Sequence, residues 1–326
     1  MLNFHSLTIA DREMVQAVTF RAGRRNCNYT FANLVGWQFW FHTEVCVVPP
    51  PPLRGTLPNV GGGLPEKSER STPPNAGGVL LRFTLDGERA YMVCMAGDLP
   101  TALVEALMED SDGHLMLLGL EDPQAQALSV PSDSVGWTCH IEPRRNQYDY
   151  IYRRADLASL AGGKLKAKRN HVNKFLSEHP DFEYRPLTTE MFDDCRQLEA
   201  LWREERGDTN PEYGDTIAAE QRVVENVFAH WDQLDMQGGS IWLDGRMVAF
   251  TYGAAVTDDC IDVCVEKADR HIEGLFSVIN QQFCDHLPEQ FVYVNREEDM
   301  GLEGLRKAKL SYHPEILLSY NVVQFN

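Results

Sequence analysis

Two runs of polar residues carry the side chains from which chemistry could be built. Residues 164–175 hold Lys164, Lys166, Lys168, Arg169, Asn170, His171, Asn173 and Lys174. Residues 294–314 hold Asn295, Arg296, Glu297, Glu298, Asp299, Arg306, Lys307, Lys309 and Tyr312. Exposed ion pairs contribute only ~0–1 kcal/mol each. Stability therefore explains neither gathering well, and binding or catalysis explains them better. The first run is a concentrated cation. It suits a phosphate, a carboxylate or an RNA backbone, and it equally suits a solvated helix face. Asn170 and Asn173 weigh against the plain helix, because asparagine competes for backbone hydrogen bonds there. The second run mixes both signs with Gly301 and Gly304, which permit close backbone approach.

Periodicity sets the helices and strands that carry these residues. In the first run Leu165, Val172, Phe175 and Leu176 share one helical face, while Lys166, Arg169, Asn170 and Asn173 occupy others. In the second, Phe291, Tyr293 and Asn295 alternate with Val292, Val294 and Arg296. A strand there ends by sending Asn295 and Arg296 to opposite faces. Glu297, Glu298 and Asp299 form a turn into a helix starting near Gly301, where acids suit the positive end of the helix dipole. Arg306 and Lys309 lie at i, i+3 on that helix, at the carboxyl edge of a sheet where α/β proteins bind ligands. A merely capped and salt-bridged helix is the plainer alternative.

The remaining chain reads as alternating helices and strands. Residues 8–22 are helical, 37–48 and 79–84 extended, and Asp98 with Pro100 opens a further helix. Asp244-Gly245 between alternating runs marks a hairpin. The fold class is α/β (α+β). The second half, in its order of helices and strands, resembles the acyltransferase fold of the GNAT superfamily of N-acetyltransferases, and the first half reads as a degenerate copy. Two tandem acetyltransferase-like domains are expected, each a mixed central sheet flanked by helices, at residues 1–178 and 179–326. Residues 48–78, dense in Pro and Gly, form an insertion in the first.

Composition narrows the function. The 326 residues are 43% hydrophobic and carry a net charge of −18. Such a body repels polyanions at long range, which counts against general nucleic-acid coating but leaves room for a local basic patch. The eight cysteines include no C-x-x-C pair. Reduced thiols and no metal site are expected. A basic start with an apolar run is missing from the N-terminus, and no stretch reaches the ~20 apolar residues of a membrane span. A cytoplasmic location with no integral membrane segment is the expectation. No G-x-S-x-G elbow is present.

Residues 148–152, the run Lys168-Arg-Asn-His-Val-Asn-Lys-Phe175, Cys264 to Asp269, Asn295 to Gly301 and Leu305 to Tyr312 together resemble the C-terminal domain family of phosphatidylglycerol lysyltransferases. The resemblance covers residues 148–320 well and the first half loosely. It implies aminoacyl transfer from aminoacyl-tRNA to a hydroxyl or amine in a cleft between the two domains. The acceptor would be a small molecule, a peptide or a lipid headgroup, and no cofactor would be tightly bound. Lys164, Lys168, Arg169, Asn170 and Asn173 would line one wall, and Glu266, Asn295, Arg296, Asp299, Arg306, Lys309 and Tyr312 the other. Glu266 or Asp299 would accept the acceptor's proton. Arg306, Lys309 or Tyr312 would stabilise the oxyanion. The chain departs from the pattern twice. The membrane-spanning part of the lipid enzymes is lacking, and the stretch Arg270 to Gly274 lacks the glycine spacing that holds coenzyme A pyrophosphate at a helix start. An acyl-coenzyme A-dependent N-acyltransferase of amines or peptides is the alternative. A non-catalytic anion- or RNA-binding module on residues 164–174 is a third reading.

Overall fold

The computed structural model describes residues 2–49, 77–85, 87–128, 137–207 and 214–325. The described strands form two mixed seven-stranded sheets. The first contains β1 (His5–Ser6), β2 (Glu44–Val48), β3 (Gly78–Leu85), β4 (Glu88–Met95), β5 (Met116–Leu120), β6 (Cys139–Pro143) and β14 (Asn321–Phe325). Their spatial order is β1-β2-β3-β4-β5-β14-β6. The second contains β7 (Asp149–Arg153), β8 (Glu183–Pro186), β9 (Gln237–Leu243), β10 (Arg246–Ala255), β11 (Cys260–Ala268), β12 (Tyr293–Asn295) and β13 (Ile316–Leu318). Its order is β13-β7-β12-β11-β10-β9-β8. Each sheet runs antiparallel to one parallel pair, β4 with β5 and β11 with β12. Beyond that pair lies a strand from the other half of the chain.

That exchange is reciprocal. β7 lies between β12 and β13, and β14 lies between β5 and β6. The sheets therefore do not divide at 178/179. Helices α6 (Arg154–Ser159) and α7 (Lys166–Glu178) also pack on α10 (Leu275–His286) of the second sheet. The pattern of β7 explains its placement: Asp149, Tyr150, Ile151 and Tyr152 are all buried, which only an interior strand allows. One core joins the halves, combining Val45, Leu81 and Met92 of the first sheet with Phe250, Tyr252 and Cys260 of the second. A second core lies under α7 and α10.

Helices α1 (Arg12–Ala22), α2 (Phe31–Gly36), α3 (Gln38–Phe41), α4 (Thr101–Asp110), α5 (Asp122–Leu128), α8 (Phe192–Gly207), α9 (Gly214–Ala229) and α11 (Glu303–Leu310) complete the layers. The extended segment expected at 37–48 is corrected. Residues 38–41 are helical and end at His42 in a left-handed conformation, φ 47°. Trp37 and Phe41 pair on one side of that turn, and Arg222 covers Phe39 on another, a use of aromatics that strand propensity does not anticipate. The Pro/Gly-rich insertion lies outside the described residues except at its ends, where Val48 and Gly78 are paired neighbours in β2 and β3.

One irregularity decides where two acids point. In the β10–β11 pair, Tyr252 faces Val265 and Ala254 faces Asp262. β11 thus carries one extra residue, a β-bulge. Gly253 sits opposite it, where a Cβ would lie 2.1 Å from the Asp262 carbonyl oxygen. Asp262 and Glu266, four apart, would share a face in a regular strand. The bulge sends them to opposite faces.

Candidate functional site

β12 delivers Asn295 and Arg296 to opposite sides. Asn295 is fully buried and faces the first half of the chain. Its Nδ2 donates to the Arg25 carbonyl at 2.7 Å and to Asp149 Oδ2 at 2.8 Å, and its Oδ1 accepts from the Glu297 N–H at 2.7 Å. Arg296 faces α10 and donates from Nη2 to Glu266 Oε1 at 2.9 Å. The turn beyond holds Glu297 and Met300 at φ 56° and 53°, a left-handed conformation costly for non-glycine residues. Lys309 stabilises that turn. Its buried ammonium donates to the carbonyls of Arg296 at 2.5 Å and Glu297 at 3.1 Å, and to that of Glu298. Burial lowers its pKa against the opposing pull of Glu297 and Glu298.

Asp299 has no exposed surface and every oxygen engaged. Arg306 grips it through both oxygens at 2.7 and 2.9 Å. The Tyr150 hydroxyl donates at 2.6 Å, Arg145 at 3.1 Å and the Gly301 N–H at 2.9 Å. Burial opposes ionisation, yet donors led by Arg306 hold the carboxyl well below its usual range. A carboxylate so stabilised is a poor proton acceptor. It fixes Arg306, whose side chain keeps 35% exposure at the site's edge.

Carboxylates converge on the seam between the halves. Asp149 and Asp262 are buried, and Glu297 and Glu298 are half-buried. Cys27 donates its N–H to Asp149 Oδ2 at 2.7 Å, and its thiol to Asp149 Oδ1 at 3.3 Å and Glu298 Oε2 at 3.6 Å. Asn33 Nδ2, from α2, bridges Asp262 Oδ2 and Glu297 Oε1, each at 3.0 Å. Thr30 donates to Asp262 Oδ2 at 2.7 Å. Asp262 Oδ1 is buried without a hydrogen-bond partner among the described residues. Burial, then mutual repulsion, raises these acids: Asp149 to about 6, and Asp262 and Glu297 well above their usual range. Cys27 Sγ and oxygens of Asp149 and Glu298 lie within 4.8 Å of one another. The thiol, however, is pushed well up by burial and by Asp149.

The other face of the second sheet holds a separate group. Arg296 lies 5.0 Å and Lys168 4.2 Å from the Tyr312 ring centre. The Tyr312 hydroxyl bonds Ser277 Oγ at 3.1 Å. Glu266 Oε2 and both amide atoms of Asn280 are buried without partners among the described residues. Burial, then Arg296, lowers the Lys168 pKa.

The basic helix thus splits. Lys168 reaches Tyr312 and the second run. Arg169 turns back to the carbonyls of Leu160 at 2.5 Å and Gly162 at 3.1 Å. Lys164, Asn170 and Asn173 are exposed. The second run divides: Asn295 faces the seam and Lys309 holds the turn at its edge, Asp299 and Arg306 meet Tyr150 and Arg145, and Arg296 and Tyr312 lie with Glu266 of β11 away from the seam. Sequence reasoning missed Cys27, Thr30, Asn33, Asp149 and Asp262. The two aspartates had a readable signal, an ionisable residue inside an otherwise apolar strand. The other three had none.

Comparisons with known proteins fit this geometry. Residues 70–323 match the family described as phosphatidylglycerol lysyltransferase, C-terminal. A solved conserved protein of unknown function from Bacteroides thetaiotaomicron is 32% identical over the whole of both chains, with a TM-score of 0.86. The C-terminal domain of a putative lysylphosphatidylglycerol synthetase from Agrobacterium fabrum has a TM-score of 0.54 at 11% identity, over 76% of this chain and 81% of that one. A tandem GNAT protein from the clavulanic acid biosynthesis pathway reaches 0.51 at 11% identity, over 100% and 98%. The last two show likeness of fold alone. An uncharacterized Mycoplasmoides gallisepticum protein is 21% identical over 182 residues, 54% of this chain and 56% of that protein. The match thus spans about half the length of that curated relative. No helix among the described residues is long and apolar enough to cross a membrane.

Proposed function

This chain belongs to the phosphatidylglycerol lysyltransferase C-terminal family, and we propose that it is an acyltransferase carrying out aminoacyl transfer from aminoacyl-tRNA to a hydroxyl or amine acceptor at the seam between the sheets. The observation that carries the reading is the group of four carboxylates at the seam. The Lys309 ammonium nearby is committed to backbone carbonyls. Burial and crowding keep protons on these acids, and a cation such as the α-ammonium of an aminoacyl group would favour their ionised form. A plain acyl group would not.

In this reading the acceptor oxygen or nitrogen attacks the aminoacyl ester carbonyl. Glu298, half-buried at the rim, is the carboxylate that the acceptor's proton reaches. Arg306, oriented by Asp299, stabilises the oxyanion. The intermediate collapses, the tRNA terminal hydroxyl leaves with a proton, and the new ester or amide remains on the acceptor. Glu266, on the other face of the sheet, braces Arg296, while Lys309 and Asn295 hold the turn. Lys164 and the exposed face of α7 would meet tRNA phosphates, with affinity falling as salt rises.

A coenzyme A donor fits less well. Its pyrophosphate would sit at the start of α10, but α7 covers that point. A Cβ on Gly274 would lie 2.6 Å from the His171 carbonyl oxygen. The test is transfer from a mixed pool of radiolabelled aminoacyl-tRNA to lipid, peptide and amine acceptors. Label should leave tRNA faster than spontaneous hydrolysis and appear in one acceptor class, and Arg306→Ala should slow it by roughly 10²-fold. Loss at the spontaneous rate with every acceptor would remove the proposal.

A further inference from the structure

Asp299 holds a second guanidinium that the proposed reaction leaves unused. Arg145, on the short helical turn Arg145–Gln147, donates from Nη1 to Asp299 Oδ2 at 3.1 Å and from Nη2 to the Tyr150 hydroxyl at 2.9 Å. Arg306 Nε reaches the same Oδ2 at 2.7 Å. Two guanidinium groups therefore flank one carboxylate oxygen. Asp299 and Tyr150 are fully buried beneath them. Arg145 lies against the Tyr148 and Tyr150 rings, 5.3 and 5.5 Å from their centres. Outward, the Arg145 and Arg306 side chains stay 37% and 35% exposed. A guanidinium carries five N–H donors. The bonds to Asp299 and Tyr150 leave at least two free on each, and neither arginine has a nitrogen that is buried without a partner.

Charge decides what such a pair attracts. Burial opposes the ionisation of Asp299, yet its donors, led by Arg306, keep the carboxyl charged. The bond to Asp299 in turn raises the Arg306 pKa. Among the described residues neither guanidinium has a second carboxylate within ion-pair distance. Two fixed positive charges thus share one negative charge. A closed structural pair needs one arginine. The excess is a single positive charge, offered to solvent together with unused donors. Guanidinium forks match the terminal oxygens of carboxylates and phosphates. We propose that Arg145 and Arg306 form one site for a singly charged oxyacid group, carboxylate or phosphodiester, held in place by their shared Asp299. Under the transfer proposed above, the same site takes the tetrahedral oxyanion, and Arg145 is its second donor. That assignment rests on the transfer; the anion site does not.

NMR titration of the full chain tests it, following the arginine Nε–Hε signals. The probes are sodium acetate and sodium dimethyl phosphate, each compared with sodium chloride at one ionic strength. At least one probe should bind saturably where chloride does not, and the tighter of the two names the oxyacid. Arg145→Gln and Arg306→Gln should each weaken that binding about tenfold. Arg145→Lys keeps the charge without the fork. It should lose several-fold, and it covers the case in which Arg145→Gln fails to fold. Arg153→Gln removes an arginine that faces the exposed Glu315 and should leave the affinity unchanged. Binding no better than that of chloride overturns the inference. So does wild-type affinity in the folded Arg145 variants, or an equal loss in Arg153→Gln, which would make the attraction diffuse. The charged-tRNA assay is read separately, and a saturating probe should slow transfer there. Transfer at full rate with the site filled would strip Arg145 of its donor role. Probe binding with no transfer from any tRNA would remove the transfer reading and leave the anion site standing.

Discussion

Asp299 and Arg306 form a bidentate pair whose members fail differently. Arg306→Ala removes the proposed oxyanion donor while Tyr150, Arg145 and the Gly301 N–H still serve Asp299. Turnover should drop by roughly 10²-fold, and the melting temperature should fall less than in Asp299→Asn, which weakens five donor contacts at once. Kinetics and thermal melts on both variants separate the roles, and equal melting losses would make Arg306 a structural residue only. Asp149 gives a pH signature. Its folded pKa is about 6, against an ordinary 3.8, so between those values the folded protein holds a proton that the unfolded chain has released. The resulting stability is full below the unfolded value and is lost as pH rises through about 6. Wild type should therefore gain on Asp149→Asn, in urea midpoint, as pH falls from 7 to 4.5. A flat difference would show that the carboxyl titrates normally.

The elements were more legible than their contacts. Alternation in residues 291–296 places Asn295 and Arg296 on opposite faces, as found, and the helical spacing around Val172 and Phe175 gives the buried side of α7. The bulge in β11 left no such trace. One added residue changes neither composition nor propensity, yet it reverses the face of Glu266 and pairs it with Arg296 rather than with the seam. Gly253 was its only local mark, and a glycine in a strand has several meanings. The grouping of the seam carboxylates escaped for a different reason: Asp149 and Asp262 come from segments distant from Glu298, and their meeting is set by sheet order. Gly253→Val tests the bulge. A branched side chain there meets the Asp262 carbonyl, and overpacking of this kind costs about 1–3 kcal/mol. The variant should melt lower and lose transfer activity. Wild-type behaviour would mean that the β10–β11 register is free to shift.

Across the full chain, the two sheets are copies of one order that exchange a strand. Composition and element sequence made the tandem architecture readable, but pairing between remote strands is not a local property, and the exchange lay beyond periodicity. Each half alone lacks an interior strand. Fragments 1–178 and 179–326, expressed separately, should show no cooperative melt, and co-expression should restore one. A cooperative transition in either isolated fragment would mean that the exchange is dispensable. The arrangement also bears on how the protein is made. β14 leaves the ribosome long after β5 and β6, the strands it separates. Until then two bare edges must stay apart while the rest of the chain is translated, a window in which unpaired strands recruit wrong neighbours. Yield of this protein in a cell should therefore depend on holdase chaperones during synthesis, and a premature stop late in the message would leave the first sheet, hundreds of residues upstream, without its keystone.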